Sequence, residues 1–300
     1  MDTWDARTPE GDKMMKITET IHAIRHPFQL ALGEGRFVDR FVYSYILFGK
    51  KICLIDAGVS PTSSLLQDYL EKLGRSPKEI SWVLLTHAHP DHIGGCLSIK
   101  KNSSASFGAH AADKPWIEDV QRQYRERPIL NFFELVAGPV PVDSELKDGE
   151  MVSWDQGKTL KVLETPGHSL GSISFFFEEE GALFSGDAIP AAGTLPIYVN
   201  PFTSVESIRK LQRVPGVRYL FSSWHEPLSG DSITAIMDEG IRYIERIDKI
   251  VADLSRSMGS TISLEELSLL ALERLGIKAK KIPPMVVTSF ASHLKEKNNI

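Results

Sequence analysis

The amino-acid sequence predicts an α/β protein of layered strands and helices, followed by a helical region. Two observations carry this prediction. Apolar, β-branched segments alternate with segments of helical period, in the order strands, helix, strand, helix, then strands, helix, strand. That order favours α/β layers over an all-β sandwich. The pattern changes at about residue 232, so we assign 17–231 to one domain, with a helical insertion at 113–140, and 232–300 to an appended helical region.

The first half of the chain begins with a predicted hairpin. Its strands are 41–48 and 51–55, both rich in β-branched and aromatic residues, with a glycine turn between them. A helix follows the serine and proline at 60 and 61, and Gly74 ends it. Residues 80–86 form a predicted buried strand that leads directly into a histidine-rich segment.

The second half repeats this style before the helical region begins. We predict strands at 159–164, 172–177, 182–184 and 217–221, and a helix at 205–214. From Ile233 to Leu254 one apolar stripe recurs at helical period, which predicts a long helix packed on another surface. Ser263 with Glu266 predicts a capping box for a second helix, and Pro283 precedes a third.

Composition limits the classes of function. A hydrophobic fraction of 42% with 24% charged residues is that of a globular protein with a sizeable core. The net charge of −5 gives no overall attraction to nucleic acid or to an anionic membrane, so both partners are disfavoured. There is no basic, apolar leader at the start, and the two cysteines, Cys53 and Cys96, are too few for a disulfide framework. We therefore expect a cytoplasmic protein and leave open whether it forms a homo-oligomer.

Four potential metal ligands fall within one hexapeptide, His87-Ala88-His89-Pro90-Asp91-His92. Alternate residues after a strand point the same way, so His87 and His89 can face one site together. Asp91 and His92 follow where the chain turns, and they can serve a second centre. Imidazole and carboxylate ligands suit zinc, iron or manganese.

Three later candidates each follow a predicted strand. They are His168, Asp187 and His225. Strand ends are the usual location of sites in α/β layers. Each residue alone is as readily structural as functional, whereas together with the hexapeptide they predict one metal centre.

These residues resemble the metallo-β-lactamase superfamily over about residues 17–228. The resemblance lies in the H-x-H-x-D-H signature at 87–92, His168 after a glycine, the Gly186-Asp187 pair, the last histidine at 225, and Asp56 at an early strand end. It implies a four-layer αββα sandwich, here with a C-terminal helical region appended.

The resemblance also implies a ligand set and two divalent metal ions, zinc first, with iron or manganese as alternatives. One metal would be bound by His87, His89 and His168. The other would be bound by Asp91, His92 and His225, and Asp187 would bridge both. Asp91 and Asp187 are the catalytic candidates, because Asp91 can also orient the attacking hydroxide and carry its proton. Asp56 is expected to accept a histidine N–H.

The implied activity is hydrolysis of a small-molecule carbonyl bond by a hydroxide that bridges two metals. The substrate classes are thioesters, as in glyoxalase II, lactones, as in acyl-homoserine lactonases, or other esters. One alternative is a phosphodiesterase or ribonuclease of the same superfamily, for which the C-terminus offers a basic bias at Lys278, Lys280, Lys281, Lys295 and Lys297. Another is a regulatory or binding protein with a retained metal site and weak activity.

Two further expectations concern the substrate pocket. Tyr198, in the loop after Asp187, is either a hydrogen-bond donor to substrate or an ordinary packed residue. The insertion at 113–140 and the C-terminal helices are expected to wall the pocket together.

Overall fold

A computed structural model describes residues 13–259, 262–279 and 281–295 of the chain. The strands are β1 (Met14–Lys16), β2 (Ile21–Gly33), β3 (Arg36–Phe48), β4 (Ile52–Ile55), β5 (Ile80–Leu84), β6 (Ser106–His110), β7 (Ser144–Leu146), β8 (Met151–Asp155), β9 (Lys158–Glu164), β10 (Ile173–Phe177), β11 (Ala182–Gly186), β12 (Tyr219–Ser222) and β13 (Leu228–Ser229). The helices are α1 (Ser64–Lys72), α2 (Pro90–Ile93), α3 (Cys96–Asn102), α4 (Lys114–Glu118), α5 (Val120–Glu126), α6 (Phe132–Leu135), α7 (Pro201–Gln212), α8 (Asp231–Met258), α9 (Leu264–Arg274) and α10 (Pro284–Lys295). Short 3₁₀ turns occupy Ser60–Thr62, Pro77–Glu79 and Glu178–Glu180.

The strands form two mixed sheets. The first has the order β1-β2-β3-β4-β5-β6-β7, antiparallel up to β4 and parallel from β4 to β7. The second has the order β13-β12-β11-β10-β9-β8, in which only β11 and β12 pair in parallel. The parallel pairs are joined through helices, as parallel connections require.

Three hydrophobic clusters separate four layers. Between the sheets lies an aromatic-rich cluster that includes Tyr45, Phe175, Phe184 and Phe221. On the outer face of the first sheet a second cluster packs α1 and the insertion helices. On the outer face of the second sheet a third cluster packs α7 to α10. The predicted αββα sandwich is confirmed.

The second half of β3, residues 42–48, is largely apolar on both of its faces. Tyr45 and Leu47 pack between the sheets, whereas Val42 and Ile46 pack against the outer helices. Both faces of this half of the strand are therefore buried, which accounts for its nearly continuous apolar sequence.

The C-terminal helices complete the fourth layer. The apolar stripe of α8 is buried, and Ile244 and Ile247 share a cluster with Leu183 and Leu220 of the second sheet. The expectation that this stripe packs on another surface, either the metal-binding domain or a partner subunit, is met by packing on the second sheet, and the capping box at Ser263 and Glu266 is confirmed. The boundary between 17–231 and 232–300 stays a prediction.

Three other expectations can be compared with the described residues. Neither cysteine is paired, and both are buried. No helix within 13–259, 262–279 and 281–295 is long and apolar enough to span a bilayer. Among the lysines that give the C-terminus its basic bias, Lys280 and Lys297 lie outside the described residues. Lys281 forms an ion pair, with its Nζ 3.6 Å from Glu34 Oε1.

Candidate metal centre

Most of the candidate ligands lie on loops that follow strands of both sheets, and Asp91 and His92 lie in the short helix α2. His87 and His89 follow β5, His168 follows β9, and Asp187 directly follows β11. The Ile173 N–H donates to the Thr86 carbonyl at 2.9 Å, so the two sheets are joined at the edge where the loops meet. Strand ends of two sheets thus converge on one buried point.

Four of the predicted ligands form one tight cluster. His87, His89, His168 and Asp187 each offer an atom that lies within 4.8 Å of the others, and all four residues are buried. His168 Nε2 and His89 Nδ1 are 2.8 Å apart. Residues separated by up to 100 positions therefore present their ligand atoms to a single volume.

The Asp187 carboxylate faces two groups of histidines. Its Oδ2 lies 3.3 Å from His168 Nε2 and 3.8 Å from His87 Nε2. Its Oδ1 lies 3.3 Å from His92 Nε2. Asp91 is on the same side as His92, with Oδ2 of Asp91 3.9 Å from His92 Nε2.

His225 reaches the site from β12. The Ser223 N–H donates to the Gly186 carbonyl at 3.2 Å, which holds this loop beside Asp187. The Nδ1 atom of His225 lies 2.9 Å from Ser222 Oγ, and this contact orients the ring. Five of the predicted ligands thus lie on loops that meet here and Asp91 and His92 lie in the adjoining helix α2, and the role of all seven as ligands stays a prediction.

Asp56 supports the site from behind. Its Oδ2 accepts from His92 Nδ1 at 2.8 Å, as expected, and its two oxygens accept from the Thr86 N–H and hydroxyl at 2.8 Å. The backbone of Asp56 has a φ of 62°, an unfavourable conformation for a residue other than glycine. The carboxylate thus leaves the second nitrogen of His92 directed at Asp187.

Asp113 is a supporting residue that the sequence analysis missed. Its buried carboxylate accepts from the Ala88 N–H at 2.8 Å, from Ser169 Oγ at 3.0 Å and from the Gly171 N–H at 3.1 Å. It therefore ties the 87–89 loop to the loop of His168. The signal was an acidic residue soon after a strand, but β6 itself was not predicted.

The charges of the site are strongly coupled. Burial lowers the pKa of His87 and His89 well below the usual value, and it lowers the pKa of His168 to about 4. Burial also opposes ionisation of Asp187, but His92 and His168 outweigh it and hold the pKa of that carboxyl well below its usual range. The neutral imidazoles of His87, His89 and His168 and the ionised Asp187 carboxylate are in the forms that bind metal ions. His92 differs, because Asp187, Asp56 and Asp91 overcome its burial and raise its pKa well above the usual value.

Unsatisfied atoms test whether these residues fit a metal ion. His87 Nε2, His92 Nε2 and Asp187 Oδ1 are buried, and none makes a well-directed hydrogen bond to the described residues, although His92 Nε2 and Asp187 Oδ1 are 3.3 Å apart. Leaving one such atom unpaired costs about 1–3 kcal/mol. Coordination of a cation would satisfy all three neighbouring atoms at once. The donor set therefore fits a divalent metal ion.

Tyr198 is a packed residue. It is buried, its hydroxyl lies 2.8 Å from His293 Nε2 of α10, and burial raises its pKa well above the ordinary value. The hypothesis that it donates to substrate is therefore wrong. Its hydroxyl instead connects the loop after Asp187 to the C-terminal helix.

The insertion borders the metal centre, as expected. The Trp116 ring centroid lies 6.5 Å from that of His89, and the Trp116 indole N–H donates to Glu126 at 2.6 Å. The Gln123 side chain donates to the Ala88 carbonyl. Arg127 reaches α10, where its Nη2 lies 3.3 Å from Met285 Sδ. The insertion and α10 thus meet beside the ligands, and their contact with substrate stays a prediction.

The sequence is similar to those of known proteins. A hydroxyacylglutathione hydrolase of Hyphomonas neptunium is 28% identical over 57% of this chain and 58% of its own length. A beta-lactamase-like protein 2 homolog of Caenorhabditis elegans is 27% identical over 72% of this chain and 65% of its own. The chain thus covers less than two thirds of both relatives.

Solved structures share the fold at lower identity. A metallo-beta-lactamase family protein from Thermus thermophilus has a TM-score of 0.67 at 22% identity, with 92% of this chain and 93% of that one covered. A beta-lactamase domain protein from Burkholderia ambifaria has a TM-score of 0.72 at 16% identity, with 94% and 87% covered. Because the family's sequence profile matches residues 38–224, this chain belongs to the metallo-beta-lactamase superfamily.

Proposed function

We propose that the chain is a dinuclear metal-dependent hydrolase of small-molecule carbonyl bonds in thioesters, lactones or other esters. The observation that carries the proposal is the Asp187 carboxylate, whose two oxygens face different histidines. Oδ2 is 3.3 Å from His168 Nε2, and Oδ1 is 3.3 Å from His92 Nε2. A carboxylate placed between two donor groups is suited to bridge two cations.

The proposed ligands divide into two groups around Asp187. His87, His89 and His168 would hold one ion, and Asp91, His92 and His225 would hold the other. Zinc is the first candidate, and the same His and Asp ligands would also serve iron or manganese. When bound, such ions lower the pKa of water and polarise a carbonyl oxygen.

Asp91 is proposed to move the proton. Its side chain is 16% exposed, compared with 0% for His92 and 5% for Asp187, so it faces the open side of the site. Burial raises the pKa of the Asp91 carboxyl, while His92 opposes that shift. A carboxylate near the surface of the pocket can accept a proton from the attacking water and deliver it to the leaving thiolate or alkoxide.

A carbonyl substrate is favoured over a phosphodiester by the relatives and by charge. Hydroxyacylglutathione hydrolases recur among the relatives. The net charge of −5 opposes binding of a polyanion.

The cytoplasmic location expected from the sequence stays a prediction.

The first test of the proposal is metal content. Protein reconstituted with zinc and then freed of excess metal should carry close to two ions per chain by elemental analysis. The reason is the paired donor sets on either side of Asp187. Occupancy at or below one ion would contradict the dinuclear assignment.

The second test is a substrate panel assayed with the two-metal protein. We expect turnover of a generic thioester, lactone or ester, and loss of that turnover after chelation. Greater turnover of bis-p-nitrophenyl phosphate would assign the chain to the phosphodiesterases instead. No turnover of any substrate, with both metals bound, would favour a regulatory or binding protein.

A further inference from the structure

Arg127 places a positive charge beside the metal centre. It follows α5 in the insertion, and its side chain is half-buried. Gln123, four residues before it, donates its side chain to the Ala88 carbonyl between His87 and His89. The Arg127 guanidinium therefore lies between the loop of His87 and His89 and α10, where its Nη2 meets Met285 Sδ.

The guanidinium of Arg127 is poorly satisfied. It contacts the Met285 thioether, with Nη2 3.3 Å from Sδ. Within the described part of the chain it makes no ion pair with a carboxylate. Burial lowers its pKa to about 10, against the effect of Asp91 and Asp187, so it stays charged at neutral pH. A half-buried arginine has five N–H donors, and sulfur is a weak acceptor for one of them.

The position of Arg127 is fixed relative to the ligands. Gln123 lies in α5, four residues before Arg127, and its side chain donates to the Ala88 carbonyl between His87 and His89. The Arg127 N–H donates to the Gln123 carbonyl at 2.8 Å. On the other side, Met285 anchors the guanidinium to α10. These contacts hold a donor group at a set place beside the metals.

We propose that Arg127 is the anion-binding residue of the substrate pocket, and that the preferred substrate carries a carboxylate on its acyl part. This inference rests on the proposed function. A planar guanidinium binds a carboxylate through two parallel hydrogen bonds, which would orient the acyl group over the metal centre. One arginine suits one carboxylate, whereas a phosphate dianion usually engages several donors.

The test uses two acyl thioesters of N-acetylcysteamine that differ in one charge: glutaryl and monomethyl glutaryl. We expect the metal-loaded protein to prefer the glutaryl thioester by about tenfold or more in kcat/KM. Arg127→Met should reduce kcat/KM for that substrate by about 10- to 100-fold, mainly through KM, which is typical for loss of a charged hydrogen bond. For the uncharged monomethyl glutaryl thioester, kcat/KM of Arg127→Met should differ from that of the parent by less than about twofold. Arg127→Lys should retain part of the preference.

Arg125→Met is the matched control. Arg125 belongs to the same insertion but is 65% exposed and pairs with Asp119 at 3.7 Å, so the preference should not change. Metal content and melting temperature should match the parent in each variant. A wild-type protein without the preference, or a preference that survives in Arg127→Met, would overturn the inference.

A binding measurement separates this inference from the proposed function. By calorimetry, the metal-loaded protein should bind glutarate more tightly than monomethyl glutarate, and Arg127→Met should abolish the difference. If neither thioester is hydrolysed but this binding pattern appears, the proposed function fails and the anion site stands. Equal binding of the two acids by the wild-type protein would reject the anion site, whatever the hydrolysis result.

Discussion

Asp187→Asn should lower kcat by about 100-fold or more and release one of the two metal ions more readily. The change removes a negative charge that is shared between His92 on one side and His168 on the other. Changes to residues that merely support a ligand already reduce metal affinity or activity by about 10- to 100-fold, so loss of a bridging ligand should cost at least as much. Metal analysis and steady-state kinetics on the reconstituted variant measure both effects.

The fold of Asp187→Asn should survive because the change is nearly isosteric and lies at the end of β11. Asp231→Asn is the control. Asp231 is an exposed residue in the first turn of α8, so its loss should change activity and metal content little. If Asp187→Asn keeps both metals and nearly full turnover, Asp187 does not bridge, and the two-metal assignment must be redrawn.

Asp113→Ala should be the second most damaging change, although Asp113 is not a proposed ligand. Its carboxylate accepts from the Ala88 N–H, the Gly171 N–H and Ser169 Oγ, all buried. The substitution leaves three buried hydrogen-bond donors without an acceptor, at a cost of about 1–3 kcal/mol each. We therefore expect the free energy of unfolding to fall by at least about 3 kcal/mol. Because the 87–89 loop and the His168 loop would separate, metal affinity should also fall by about 10- to 100-fold.

Denaturant unfolding and metal titration measure these two effects. Asp119→Ala provides the comparison within the same insertion. Asp119 is an exposed cap that accepts from the Arg122 N–H, so its removal should cost about 1 kcal/mol and leave metal affinity unchanged. An Asp113→Ala protein as stable as Asp119→Ala, with unchanged metal affinity, would show that Asp113 does not hold the two loops together.

Local sequence pattern determined many of the elements, though not β2, and all of the candidate ligands. The stripe from Ile233 to Leu254 predicted a long packed helix because burial of one face imposes a helical period. The hexapeptide at 87–92 identified a metal centre because its ligands are adjacent in the chain. Asp56 was also predicted correctly as a partner of a histidine, since it ends a strand of the same sheet.

Elements with weaker local signals were missed. Strands β6, β7 and β8 are short, with three to five residues each, and give little periodicity to detect. The Tyr198 hydroxyl could not be assigned from its loop, because its partner, His293, lies 95 residues away.

Supporting contacts and charge around the site were decided only by tertiary structure. Asp113 and Arg127 occur in an insertion with no motif, and their partners, Gly171 and Met285, are 58 and 158 residues away. Hydrogen bonds between such distant residues depend on how two sheets and the outer helices pack, and no local period encodes them. The sequence by itself therefore determined which residues can bind metal. Packing of the layers decided which side chains orient those residues and placed the guanidinium of Arg127 beside them.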